Sequence, residues 1–211
     1  MQKFIYSIIL FINSIFVINA QHSTDAERII KNITESFRAQ AVRSEFILKI
    51  SEKNGVNSQQ ISGTIVLNAN RFFLKTDELT VWFDGKTQWA YLENSDEVNI
   101  TEPTAEELAA INPVTIISAF KSISRIQFSK LKSQTNHIIE LIPTNKKADF
   151  SKVEIQLNKT SGNLHAIKIE YKNGLKNDLT FRNYQKNVAV NPRMFIFDKA
   201  KYKGAVMNDL R

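Results

Sequence analysis

The feature that most constrains this chain is a change of apolar period near residue 40, from the spacing of a helix to that of a strand. Phe46, Leu48 and Ile50 fall on one face of a first strand, and Ile61, Gly63, Ile65 and Leu67 carry a second. Phe72-Phe73-Leu74 and Leu79 to Phe83 read as further strands. Trp89 and Tyr91 share a face of the next, and Glu97 to Ile100 is a short one. After a break the pattern resumes at Ile126 to Lys132, His137 to Ile142, Val153 to Leu157, His165 to Tyr171 and Leu179 to Tyr184. Asn54-Gly55, Asp84-Gly85-Lys86, Ser161-Gly162-Asn163 and Asn173-Gly174 supply tight turns between them. Connections this short make a meander, so the expected fold is one antiparallel sheet of about eleven strands. A sheet of that width, apolar on one face, curls into a barrel or splits into a sandwich.

Helices decide what covers the sheet. Thr24-Asp25-Ala26-Glu27 has the capping-box pattern, and Ala26, Ile29, Ile30, Ile33 and Phe37 follow on one helical face. Mid-chain, Thr104 and Glu107 repeat the box. Asn112-Pro113 ends that helix and starts another with Ile116, Ile117 and Phe120 on one side. Three amphipathic helices need apolar surface to rest on, and the interior or mouth of a curled sheet provides it. A curled sheet can also enclose a ligand cavity. The aromatic residues Phe46, Phe73, Trp89, Tyr91 and Phe120 are then either core packing or a greasy cavity wall.

Before the first helix, Lys3 is followed by an almost unbroken apolar run from Phe4 to Ile18 and then by Asn19-Ala20. This is the order of a secretory signal, and the run is short of the ~20 residues that span a bilayer. Residues 1–20 are therefore expected to be a cleaved signal peptide and residues 21–211 one exported domain. Cysteine is absent, which excludes disulfides and an acylated N-terminal cysteine. The net charge of +7 favours anionic partners, while the export signal disfavours nucleic acid.

Catalytic signatures are missing. His22, His137 and His165 are scattered, no nucleophile elbow or phosphate-binding glycine loop occurs, and metal-ligand spacings are absent. The pairs Asp77-Glu78 and Asp96-Glu97 are sequence neighbours, which on a strand point to opposite faces. The expectation is a binding protein with no catalytic residues, metal or cofactor.

The order of the pieces resembles the LolA family, the periplasmic carriers of outer-membrane lipoproteins. The resemblance rests on Gly63 to Leu67 leading into Phe72-Phe73, then Val81-Trp82-Phe83-Asp84-Gly85-Lys86-Thr87-Gln88-Trp89-Ala90-Tyr91, the Glu97-Val98 strand and the Asn112-Pro113 helix. It extends to the closing Ser161-Gly162-Asn163 turn, Pro192 and Phe195-Ile196-Phe197-Asp198. It implies a mainly β fold with α: an incomplete, half-open antiparallel β-barrel whose helices form a lid over a hydrophobic cavity. It further implies a soluble, monomeric periplasmic carrier of acylated lipoproteins. Its partners would be an inner-membrane lipoprotein-releasing ABC transporter and an outer-membrane receptor. By strand parity, the expected lipid-binding wall is Phe46, Leu48, Ile50, Ile61, Ile65, Leu67, Phe73, Trp89 and Tyr91, with Ile116 and Phe120 on the lid. In the family an arginine after the Gly63 strand helps latch the lid. Ala69 stands in its place here, and Arg71, two residues on, is the candidate latch, with an ordinary surface arginine as the alternative. A lipid- or lipoprotein-sensing domain keeps the same fold. An exported lipid hydrolase would need His137 or His165 as its base.

Overall fold

The computed structural model describes residues 24–53, 57–108 and 112–211. The expected signal peptide and the Asn54-Gly55 turn lie outside them. Helix α1 occupies residues 24–39. Six strands follow: β1 (Val42–Ser51), β2 (Ser58–Asn68), β3 (Arg71–Thr76), β4 (Leu79–Phe83), β5 (Gln88–Leu92) and β6 (Glu97–Thr101). Helices α2 (Ala105–Leu108) and α3 (Pro113–Ser122) come next. The second run is β7 (Ser124–Phe128), β8 (Asn136–Pro143), β9 (Phe150–Asn158), β10 (Leu164–Tyr171) and β11 (Lys176–Lys186). Two 3₁₀ turns, Pro192–Phe195 and Lys199–Lys201, lead to β12 (Val206–Asp209).

The strands form one sheet in the order β12-β6-β5-β4-β3-β2-β1-β11-β10-β9-β8-β7. It is two meanders joined at the centre by the antiparallel β1–β11 pair. The first meander runs outward from β1 to β6, and the second runs inward from β7 at the opposite edge to β11. The segment between β6 and β7 must therefore cross from one side of the sheet to the other. That segment contains α2 and α3, and α3 makes the crossing over the concave face.

Local signals place the helices as their sequences predict. Thr104 and Glu107 form the reciprocal cap: the Thr104 N–H donates to the Glu107 carboxylate at 2.7 Å and the Glu107 N–H donates to Thr104 Oγ1 at 3.3 Å. Asn112 Oδ1 accepts the Val114 N–H at 2.9 Å, with Pro113 in the first turn of α3. Between β4 and β5, Asp84 Oδ1 accepts the N–H groups of Lys86 and Thr87, and Gly85 takes a φ of +108°.

The concave face holds the main core. Ala26, Ile30, Ile33 and Phe37 of α1 join Phe46, Ile65, Leu67, Phe72, Leu74, Val81 and Phe83 of the first meander. Ile139, Leu141, Val153, Ile155, Leu157, Ile167 and Phe181 come from the second. Phe46 packs over Gly63, its cross-strand partner in β2. A Cβ at Gly63 would overlap the Lys75 carbonyl oxygen of β3 and press on the Phe46 ring, so this close approach of backbones needs glycine.

The convex face is divided. Over β8–β10 it is polar: Lys152 reaches Glu140 at 3.9 Å and Glu170 at 3.3 Å, and Lys168 reaches Glu154 at 4.0 Å. Over β3–β6 it is aromatic, and the C-terminal segment covers it. Trp82 lies 5.3 Å from Phe197 and 5.6 Å from Tyr202, ring centre to ring centre, and Tyr91 lies 4.6 Å from Tyr202. Val98 and Ile100 complete this second cluster, with Phe73, Trp89 and Met207 packed against it. The strand β12 was not foreseen in the sequence. It pairs parallel to β6, bringing the strands among the described residues to twelve rather than about eleven.

Packing on the two faces can be tested separately. Gly63→Ala is expected to lower stability by about 1–3 kcal/mol in chemical denaturation, because backbone must move to admit the methyl group. Phe197→Ala is expected to cost about 3 kcal/mol. Because Trp82 and Trp89 are the chain's two tryptophans and both belong to the convex cluster, this variant should also shift the emission of the folded protein to longer wavelength.

Candidate functional site

Helix α1 does not fill the curl. Its residues pack near the start of β1, where Phe37 meets Tyr184 of β11 edge-on at 6.4 Å. Towards the other end of the same strands a cavity of about 840 Å³ remains, within the range of small-molecule sites. Its floor is built from alternate residues of central strands: Phe46 and Leu48 of β1, Ile61 and Ile65 of β2, Ile167, Ile169 and Tyr171 of β10, and Asn177, Leu179 and Phe181 of β11. Leu74, Thr76, Leu79, Asp149 and Phe150 form the sides. The roof is α3, through Pro113, Thr115, Ile116, Ser118, Ala119, Phe120 and Ser122, with Ala105 of α2 beside it. Phe120 stacks edge-on against Phe150 at 4.7 Å, which seats the lid helix on β9. Ile123, just past α3, borders the cavity and is 48% exposed, marking where it opens to solvent.

The expected wall residues divide into two groups. Phe46, Leu48, Ile61 and Ile65 line the cavity, and Ile116 and Phe120 line it from the lid. Leu67 faces the same way but pairs with Val42 at the α1 end, where it is part of the packed core. Ile50 pairs with Asn177 at the far end of the sheet and lies just off the lining. Phe73, Trp89 and Tyr91 need correction: they are on the convex face, in the cluster under the C-terminal segment. The hairpins show why. Asn68 pairs with Arg71, so Phe72 is in phase with Leu67, and Leu74 with Ile65, which leaves Phe73 on the other side. Likewise Trp82 pairs with Trp89 and Thr80 with Tyr91. Counting outward from each tight turn would have found this. The apolar run Phe72-Phe73-Leu74 hides it, because both of its faces are covered.

Arg71 has the same parity as Phe73. Its guanidinium lies 5.3 Å from the centre of the Phe195 ring, in the first 3₁₀ turn of the C-terminal segment. It therefore ties that segment to β3 instead of latching the lid helix. The residues missed by sequence reasoning are mainly those of the second meander, Phe150, Ile167, Ile169, Tyr171, Leu179 and Phe181. Their alternation was visible, but the pairing of β11 with β1 that brings them opposite Phe46 and Leu48 was not.

Burial, followed by the nearby Asp149 charge, pushes the Tyr171 hydroxyl above the usual tyrosine range and keeps it protonated. Burial does the same to Tyr184 beside α1. His137 sits at the β7–β8 edge against Phe128, where desolvation and then the Lys159 charge hold it below the usual histidine range. Neither His137 nor His165 is on the cavity lining. Among the described residues no group of three histidine, cysteine, aspartate or glutamate side chains is placed to hold a metal ion. No helix among them is long and apolar enough to cross a membrane.

Residues 16–175 match the family model described as outer membrane lipoprotein carrier protein LolA. The chain belongs to the LolA family. In this member of the family the sheet is half-open, with helices over an apolar concavity. An uncharacterized conserved protein from Thermus thermophilus has a similar structure, with a TM-score of 0.54 at 9% identity over 88% of this chain and 99% of that one. MucB gives a TM-score of 0.51 at 15% identity, covering 83% of this chain and 63% of MucB. A LolA superfamily protein from Nitrosomonas europaea gives 0.46 at 11% identity over 82% and 98%. No curated protein sequence matches the chain.

The two faces separate in a binding experiment with an environment-sensitive apolar dye. Leu48→Glu, which puts a charge in the half-buried cavity wall, is expected to weaken dye binding by at least about tenfold. Tyr91→Ser, on the convex face, is expected to leave dye binding within about twofold, since it alters packing on the other side of the sheet.

Proposed function

We propose that this protein is a soluble periplasmic carrier. It takes lipoproteins from an inner-membrane ABC transporter, holds their acyl chains in the cavity under α3, and delivers them to an acceptor at the outer membrane. The observation that carries the reading is the apolar cavity of about 840 Å³, walled by Phe46, Leu48, Ile61 and Ile65 and roofed by Ile116 and Phe120. Membership of the LolA family supports it. Residues 1–20 direct export in this reading and are removed.

The physical need is clear. Each CH₂ of an acyl chain gains roughly 0.8 kcal/mol from leaving water, so a chain of ~16 carbons resists crossing an aqueous space by about 12 kcal/mol. An apolar pocket that opens beside Ile123 lowers that barrier. Residual exposure at the opening keeps the affinity below that of a sealed core, which a carrier requires for release. The work is done by burial, so the protein acts without catalysis, metal or cofactor.

The experiment is a release assay. Purified protein beginning at Gln21 is added to spheroplasts that retain newly made lipoproteins, and the supernatant is examined by native mass spectrometry. A one-to-one complex with acylated lipoprotein is the expected result. Recovery of only empty protein would reject the carrier reading, and a cleaved lipid would point to a hydrolase.

A further inference from the structure

From β1 across to β7, the end of the sheet away from the cavity mouth carries charge of one sign. The chain presents there Arg38 at the close of α1, Arg43 near the start of β1, Lys130 and Lys132 in the β7–β8 turn, Lys159 in the β9–β10 turn and Lys186 at the end of β11. The stretches that meet at this end, residues 36–44, 129–137, 157–165 and 183–191, contain no aspartate or glutamate. Among the described residues none of these six cations is ion-paired, whereas Lys152 and Lys168 on the convex face are. The mouth end is different in kind: Lys53 and Lys172 are interspersed there with Glu52, Asp77 and Asp149.

The basic end has an apolar tip. Leu131, between Lys130 and Lys132, is 62% exposed. Its turn is held in shape: the Leu131 N–H donates to Ser129 Oγ at 3.2 Å, and Lys159 Nζ donates to the Ser133 and Gln134 carbonyl oxygens at 2.6 and 3.2 Å. Lys186 Nζ in turn donates to the Ser161 carbonyl oxygen at 2.7 Å, fastening β11 to the neighbouring turn. A leucine held in water between two lysines suits a lipid interface, where the apolar side chain enters the headgroup region and the ammonium groups meet phosphates. Each further cation near an anionic bilayer adds to the attraction. An acidic protein or a nucleic acid would use the same charges, but neither offers Leu131 an apolar phase. We propose that this end of the molecule is a docking surface for an anionic lipid bilayer, with Leu131 as the inserted tip. The proposal goes beyond the carrier reading and is independent of what fills the cavity. Ile123 and Leu131 flank opposite ends of β7, so a docked molecule holds its mouth away from the bilayer on which it rests.

The test is co-sedimentation of the purified protein with vesicles of phosphatidylcholine, alone or mixed with phosphatidylglycerol. Binding is expected to the mixed vesicles only, and added salt should weaken it. Lys130→Gln combined with Lys132→Gln is expected to weaken it at least about tenfold, and Leu131→Ser about fivefold. Lys146→Gln combined with Lys147→Gln removes the same charge at the mouth end and is expected to stay within about twofold. The chain has no cysteine, so Leu131→Cys and Ile123→Cys each give one site for an environment-sensitive label. On mixed vesicles the emission of the label at position 131 is expected to move to shorter wavelength, and that of the label at position 123 to stay as in water. Equal losses in the two double-lysine variants would reduce the interaction to net charge and overturn the inference. Entry of the label at position 123 instead, or failure to bind either kind of vesicle, would also overturn it. Binding of polyglutamate in place of mixed vesicles, lost in the Lys130 and Lys132 variant, would give the patch to an acidic protein and reject the bilayer. The lysine and Leu131→Ser variants are expected to bind the apolar cavity dye as the native protein does, which separates lost docking from lost fold. Failure of the native protein to bind that dye would remove the cavity reading and leave the docking surface standing.

Discussion

Ser44 of β1 and Arg182 of β11 are 138 residues apart, yet the Ser44 hydroxyl donates to the Arg182 carbonyl oxygen at 2.7 Å. That bond sits at an irregularity in the β1–β11 pairing, between Arg43 and Glu45, where the Asn183 side chain also reaches the Glu45 carboxylate at 2.9 Å. An extra residue in one strand of an antiparallel pair bends it and strengthens its twist. Here the bend falls at the junction of the two meanders. The rest follows from the junction: each meander has its other end on the outside, the chain must cross between β6 and β7, and the crossing helices become a roof.

Much of this was legible in the sequence. The strands, the caps at Thr104 and Asn112, and the Asp84 turn are local signals, and each is found where its residues place it. The concave role of Phe46, Leu48, Ile61 and Ile65 was also legible, because apolar residues recur at every second position through Phe46, Leu48 and Ile50 and through Ile61, Ile65 and Leu67. Parity failed where both faces of a strand are covered. In β4, Thr80, Val81, Trp82 and Phe83 are all buried, so alternation carries no sign of which face looks inward. The reason is non-local. The second cover comes from Phe197, Tyr202 and Met207, about a hundred residues later in the chain.

The two faces also differ in how they use aromatic rings. On the convex side Phe73, Trp82, Tyr91, Phe197 and Tyr202 contact one another at centroid distances of 4.6 to 5.8 Å, a closed set with its own packing. On the concave side the ring contacts are separate pairs, Phe37 with Tyr184, Phe72 with Phe83 and Phe120 with Phe150, while Phe46 and Phe181 line the cavity. Surface that could have been spent on cohesion is held open. The fold tolerates this because α1 supplies a compact core at one end, and the C-terminal segment braces the back of the sheet through Arg71 on Phe195 and the Trp82 cluster.

The wide separation of β1 from β11 has a consequence for how the molecule comes to exist. While only the first half of the chain is available, β1 is a ten-residue strand with one side unpaired and Phe46 uncovered. Such an edge is a template for pairing with another chain. The interval before residues 176–186 arrive is thus the period of greatest hazard for self-association. A search for a partner so distant in sequence also places this protein among slow folders, on the scale of milliseconds to seconds.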